Sequence, residues 1–269
     1  MQSNKVQAVI FDLSGTVIDF GSRGPVVAFV ELFARHGVAV TEQEARVPMG
    51  AHKRDHIWAM LNDPSIRQRW TDRHGSEPDA ALLDRLYPEF TALLVEVLER
   101  HSEVLPGVPE MTAELRRRGI RFSSTTGFDL AMMEGLIRSA TSNGYNPDIF
   151  VCPDMVGGGR PAPWMAFHAA HTMGVYPMST FVKVGDTPVD IAEAKNAGMW
   201  AVSVVATGNE IGLSAEQLAA LSAGEREARF RAARAKFLDL GADYVIDASA
   251  DLLPVIEAID ARLAAGERP

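Results

Sequence analysis

The sequence predicts an α/β protein with a parallel-sheet core and a helical domain inserted after its first strand. Three observations carry this reading. A nearly continuous apolar run lies at residues 6–11. About eighty residues, 19–101, then show helical spacing and almost nothing resembling a strand. After Pro106, short apolar segments alternate with amphipathic ones to the end of the chain. Strands alternating with helices need crossover connections, and these give a parallel sheet.

Residues 6–11 read as a strand covered on both faces, because the run lacks the polar alternation of a half-exposed strand. From about Gly24, the residues Val27, Phe29, Val30, Leu32 and Phe33 recur near helical spacing up to Gly37, a stop signal. Thr41-Glu42-Gln43-Glu44 has the form of a capping box and starts another short helix. Residues 49–61 and 80–100 also carry helical patterns. The alternation then runs as helix 109–118 closed by Gly119, strand 121–125, helix 130–142, strand 149–152, helix 164–173 and strand 181–184. It continues as helix 189–196, strand 200–205, a long charged helix 224–240 closed by Gly241, strand 244–246 and helix 252–264. The expected division is a core of residues 1–20 and 101–269 and a helical cap of residues 21–100.

The 269 residues carry a formal net charge of −9 and are 47% hydrophobic and 23% charged. This is the composition of a soluble globular protein. An acidic surface repels nucleic-acid backbones and anionic membranes, so neither is expected as a partner. An anionic substrate then needs a local cationic site. Cys152 is the single cysteine, so no intramolecular disulfide is expected and a reducing compartment fits. No apolar segment of about twenty residues marks a bilayer span, and the first residues lack the apolar stretch of an export signal. A cytoplasmic location is expected.

In open α/β sheets, chemistry collects at the carboxyl ends of the strands. Four polar clusters fall there: Asp12-Leu13-Ser14, Thr125-Thr126-Gly127, Gly159-Arg160-Pro161 and Gly185-Asp186-Thr187. Each taken singly is also ordinary turn or cap chemistry. Together they suggest a site. Asp12 is a candidate nucleophile. Asp186 beside it makes a carboxylate pair suited to Mg²⁺, which takes few protein oxygens, with Asp190 as an outer ligand or as an anchor behind the ligands. Thr126 and Gly127 offer a hydroxyl and backbone N–H groups at a helix start, a cradle for phosphoryl oxygens. Arg160 would balance charge on a phosphoryl group. Cys152, Lys183, Trp164 and the run 226–236 read as structural or solvated residues.

In this order and with these gaps, the clusters resemble the haloacid dehalogenase superfamily of aspartate-nucleophile phosphotransferases over nearly the whole chain. The resemblance implies a Rossmann-like core with a mobile cap inserted after the first strand. Within the superfamily the chain is similar to the phosphonatase family. That similarity rests on Pro48-Met49-Gly50-Ala51-His52-Lys53-Arg54-Asp55-His56. It is supported by Ser124-Thr125-Thr126-Gly127, Gly159-Arg160-Pro161-Ala162-Pro163-Trp164, Gly174-Val175-Tyr176-Pro177, Lys183-Val184-Gly185-Asp186-Thr187 and Asn196-Ala197-Gly198-Met199-Trp200. Ser14 stands where many carboxylate phosphatases place a second Asp that protonates a leaving alkoxide. The phosphonatase pattern has a small residue there, usually Ala, and a metal ligand from Ser14 would be its backbone carbonyl.

The resemblance implies hydrolysis of the carbon–phosphorus bond of phosphonoacetaldehyde to acetaldehyde and phosphate, with Mg²⁺ as cofactor and a homodimer formed through the caps. A carbon–phosphorus bond leaves a carbanion, which no acid at residue 14 rescues. The implied solution is an imine between Lys53 and the substrate aldehyde, an electron sink for the departing carbon, while Asp12 takes the phosphoryl group. Lys53 must then be neutral. Lowering a lysine by about three units from ~10.4 costs the charged form roughly 4 kcal/mol, which burial under a cap can supply. His56, three residues after Lys53 on one helical face, is implied to handle protons near the imine. Met49, four residues before Lys53, is read as an apolar wall around the amine. Two other readings stay open here: a phosphate-ester phosphatase or mutase with no use for an imine, and a binding protein with a decayed site.

Overall fold

The computed structural model describes residues 4–269. Strands β1 (Ala8–Phe11), β2 (Arg121–Thr125), β3 (Phe150–Val151), β4 (Phe181–Gly185), β5 (Trp200–Val204) and β6 (Tyr244–Ile246) form one parallel sheet in the order β3-β2-β1-β4-β5-β6. Strand β1 is central. Ala8 lies level with both Arg121 and Phe181, and Phe11 with both Ser124 and Val184. The carboxyl ends of β1, β2 and β4 therefore finish together, and the residues that follow them meet.

The alternation of side chains along β1 sorts two cores. Val9 and Phe11 join the apolar layer that includes Met111, Leu136 and Ile259 of α6 (Val108–Arg117), α7 (Leu130–Ser142) and α12 (Leu252–Ala264). Ala8 and Ile10 face the opposite layer, with Met165, Ile191 and Phe237 of α8 (Trp164–Met173), α9 (Pro188–Ala197) and α11 (Ala223–Asp239). Burial on both faces is why the strands read as apolar runs.

Between β1 and β2, before α6, stand α1 (Arg23–Arg35), α2 (Glu42–Arg46), α3 (Lys53–Asn62), α4 (Pro64–His74) and α5 (Ala80–Leu98). Phe29 of α1 stacks on Phe90 of α5 at 4.3 Å. Thr41 caps α2 through the anticipated capping box. Three details differ from the sequence reading. Residues 49–52 are not helical: Met49 N donates to Arg46 O and Ala51 N to Pro48 O, a turn from which α3 departs at Lys53. Helix α4 was not anticipated, because it buries only Ile66 and Trp70; Asp63 starts it by accepting from Ser65 N and Ile66 N. Helix α10 (Ala215–Ala220) has no buried residue to give it a pattern. Among the described residues, no helix is long and apolar enough to cross a membrane.

Candidate active site

Asp12 follows β1 directly, and its N–H donates to Val184 O of β4 at 2.8 Å. Asp186 follows β4, and Asp190 lies in the first turn of α9. All three carboxylates are buried, with one oxygen of each within 4.8 Å of the others. Like charges this close need counter-ions. Two are supplied. Arg160 Nη1 lies 2.7 Å from Asp12 Oδ1 and 2.9 Å from Asp190 Oδ1, and its Nε donates to Glu193 Oε2 at 3.1 Å. Nη2 donates to Thr125 O and, at 2.8 Å, to Thr125 Oγ1. Lys183 Nζ reaches Thr125 Oγ1 at 2.7 Å, Glu193 Oε2 at 2.9 Å and Asp190 Oδ1 at 3.2 Å.

The three carboxylates are not equivalent. Burial alone would raise Asp190, but Arg160 and Lys183 outweigh it, and its carboxyl sits below the ordinary range. Its second oxygen also accepts from Thr187 N and Thr187 Oγ1. Asp12 is raised, chiefly by burial and against the pull of Arg160. Asp186 is pushed well above its usual value by burial and by Asp12 and Asp190. Among the described residues its carboxylate accepts only from neutral donors, Thr16 Oγ1 at 3.1 Å and Asn209 N at 2.7 Å. With all four ionised, the buried carboxylates of Asp12, Asp186, Asp190 and Glu193 outnumber by two the cations in ion-pair contact with them, Arg160 and Lys183, before the more distant Lys53 is counted. A divalent cation at Asp12 and Asp186 fits that deficit, and hard carboxylate oxygens are the right donors for one.

Lys53 faces this cluster from the helical block. It is buried and opens α3, and its N–H donates to Gly127 O at 3.2 Å. Its Nζ lies 5.0 Å from the centroid of the Phe128 ring, 5.8 Å from that of Phe29 and 3.9 Å from Met49 Sδ. The contact with Met49 arises from the turn, not from a shared helical face. Burial lowers the Lys53 amine to about 8, opposed by Asp12 and aided by Arg160. Asp12, Ser14, Met49, Lys53, Thr126 and Gly127 line one cavity of about 20 Å³, room for about one water. Ser14 Oγ is buried, with no hydrogen-bond partner among the described residues. Thr126 Oγ1 accepts from Phe128 N at 3.2 Å, which shapes the turn entering α7. A larger hollow of about 350 Å³ lies between α5 and α7, away from the carboxylates.

His56 is fully buried outside that lining, stacked on Phe29 at 3.8 Å with Nε2–H donating to Ala45 O at 2.8 Å. Burial, and then the Lys53 charge, hold it well below its usual value, so the imidazole is neutral. Of the two readings the sequence left open for Lys183, structural or solvated, the structural one holds. It stands inside β4 with Phe181, Val182 and Val184, and its counter-ion Glu193 lies one turn after Asp190 on α9. That spacing was the available signal. Arg160 also holds Asp12 itself.

Gly127 sets how closely the two parts meet. A Cβ there would lie 2.3 Å from Ala51 O and 3.1 Å from Gly50 O, far inside contact distance. Gly127→Ala should therefore push the turn before α3 away from the sheet and displace Lys53. We expect kcat/KM to fall at least about tenfold in a folded protein; unchanged kinetics would mean that this seam yields freely.

Comparison with known proteins agrees along nearly the whole chain. The model of the haloacid dehalogenase-like hydrolase family matches residues 6–198. A phosphonoacetaldehyde hydrolase of Nitratidesulfovibrio vulgaris is 44% identical over 264 residues, 98% of this chain and 94% of the relative. One from Bacillus thuringiensis is 40% identical over 256 residues, 95% of this chain and 97% of the relative. The crystal structure of a phosphonoacetaldehyde hydrolase-like protein from Oleispira antarctica superposes with a TM-score of 0.97 at 39% identity, covering 98% of this chain and 96% of that one.

Proposed function

This chain belongs to the haloacid dehalogenase-like hydrolase family, and from its phosphonoacetaldehyde hydrolase relatives we propose that it hydrolyses the carbon–phosphorus bond of phosphonoacetaldehyde. The relatives' activity supports this reading. The single observation that carries the chemistry is the cavity shared by a lysine amine lowered to about 8 and a carboxylate at a sheet edge.

In the proposed reaction the neutral Lys53 amine adds to the substrate aldehyde and loses water to form an imine. Met49 and Phe128 keep that amine dry. The protonated imine accepts the electron pair of the breaking carbon–phosphorus bond and becomes an enamine. Asp12 receives the phosphoryl group, with Thr126 and the Gly127 backbone positioned for its oxygens. Arg160, already on Asp12 Oδ1, stays beside the charge as it passes from carboxylate to phosphoryl group. Water hydrolyses the acyl phosphate. Protonation of the enamine carbon and hydrolysis of the imine release acetaldehyde and free Lys53. His56 handles protons through intervening water, since it does not line the cavity. We propose Mg²⁺ for the carboxylate cluster, held by Asp12, Asp186 and the Ser14 carbonyl with Asp190 behind them, where it would screen the carboxylate from the phosphoryl oxygens.

A cavity of about 20 Å³ does not admit this substrate. Residues 21–100 therefore act as a cap that opens for entry and closes to exclude water. Exposed Val47 and Trp58 on the helical block suit a cytoplasmic homodimer formed through the caps; sedimentation giving the mass of one chain would refute it.

Borohydride with phosphonoacetaldehyde tests the reading. A reduced adduct should form on Lys53, and phosphate release should stop on chelation and return with Mg²⁺. Because the deprotonated amine attacks, kcat/KM should rise about tenfold per pH unit up to about pH 8 and then level off. Phosphate release without any adduct, or an adduct on another lysine, overturns the imine.

A further inference from the structure

Arg46 ends α2 in the cap and reaches across to the core. Its Nη1 donates to Gly21 O at 2.9 Å and to Asn209 Oδ1 at 3.1 Å, and its Nη2 donates to Gly212 O at 2.8 Å. Asn209 answers with Nδ2 toward Arg46 O at 3.4 Å. The nearest carboxylate, Glu42, is 3.9 Å away and mostly solvated. A guanidinium taken largely out of water costs free energy unless its donors are satisfied, and here neutral oxygens of the core and of the connecting segment satisfy them. The seat is shaped for it. A Cβ at Gly212 would lie 2.6 Å from Arg46 Nε. The same Asn209 that meets the cap with its side chain donates its backbone N–H to Asp186 Oδ2 at 2.7 Å.

We infer that Arg46 and Asn209 form a latch that couples cap closure to the orientation of Asp186. This rests on the proposed catalytic reading and names residues that the reaction itself does not use. With the cap shut, Arg46 pins Asn209, and Asn209 fixes one oxygen of Asp186. With the cap open, Arg46 takes water and Asn209 loses its side-chain partner. The segment from Thr207 to Gly212 then holds Asp186 less firmly. Thr207 ties that segment to the nucleophile loop, through Oγ1 to Gly15 O and through its carbonyl to Gly21 N, both at 2.7 Å. Arg46 and Asn209 are positioning residues, since neither lines the cavity.

The test compares full-length Arg46→Ala and Asn209→Ala with the parent chain, using circular dichroism to establish folding. Calorimetric titration with Mg²⁺, without substrate, should show a dissociation constant raised at least threefold in both variants. Turnover should fall at least tenfold in Arg46→Ala, with KM raised. In Asn209→Ala, kcat should fall with little change in KM, because the carbonyl contacts of Arg46 persist. The Lys53 adduct should still form in both. If Arg46→Ala does not fold, Asn209→Ala decides alone. Parent-like Mg²⁺ affinity and kcat in folded Asn209→Ala would overturn the latch. A parent chain giving neither adduct nor phosphate would refute the catalytic reading instead, and the calorimetric comparison would still judge the latch.

Discussion

Lys53→Met should abolish carbon–phosphorus cleavage and at the same time stabilise the protein. Methionine nearly matches the shape of the lysine stem and suits the wall of Met49, Phe29 and Phe128. It has no amine, so no imine forms and the carbanion has no electron sink. A loss of at least about a thousandfold, or about 4 kcal/mol of barrier, is expected. Stability moves the other way. Burial lowers the Lys53 amine from 10.5 to about 8, so the unfolded chain binds that proton more tightly. The penalty on the folded state is present in full below about pH 8 and fades as the pH rises toward 10.5. It amounts to roughly 3 kcal/mol at neutral pH. Thermal unfolding at pH 7 should show the variant several degrees more stable, and the gap should narrow toward pH 10. An active variant would end the imine proposal. An inactive but less stable one would mean that Lys53 also holds a structural contact.

Asp12→Asn should separate the two halves of the reaction. Asparagine keeps the shape but is a far weaker nucleophile toward phosphorus, so phosphate release should fall at least about a thousandfold. Lys53 still meets the aldehyde, and its borohydride adduct should persist. Mass spectrometry of the trapped peptide and a phosphate assay read the two steps independently. Loss of the adduct as well would show that Asp12 is needed to assemble the pocket, since it shares Arg160 with Asp190. Retention of phosphate release would remove Asp12 as the acceptor.

The strands and the helices of the sheet layers were legible because burial gave them a period. Residues 121–125, 130–142, 164–173 and 252–264 match the observed elements end to end. Helix α4 was not, because a helix with two buried side chains has no pattern to find. The extension of α3 back to Met49 failed on Gly50, whose φ of 89° is incompatible with a helix. In the site, the residues following β1 and β4 were readable because strand ends are where such sheets gather function. Lys183 and Glu193 were harder, since a charged residue in isolation is a surface residue by default. Only the strand around Lys183, and the turn of helix separating Asp190 from Glu193, hinted at a buried pair. Arg46 and Asn209 lie 163 positions apart, and no local periodicity links them.

The amide of Asp12 is locked to Val184 O between the inner strands of the sheet, whereas that of Lys53 is held by Gly127 O across the seam. Deuterium should enter at residue 12 only when the entire molecule comes apart, but at residue 53 each time the proposed cap opens. The amides of these two residues would thus keep different clocks, and the slower one gives a fixed scale against which the frequency of the faster can be counted.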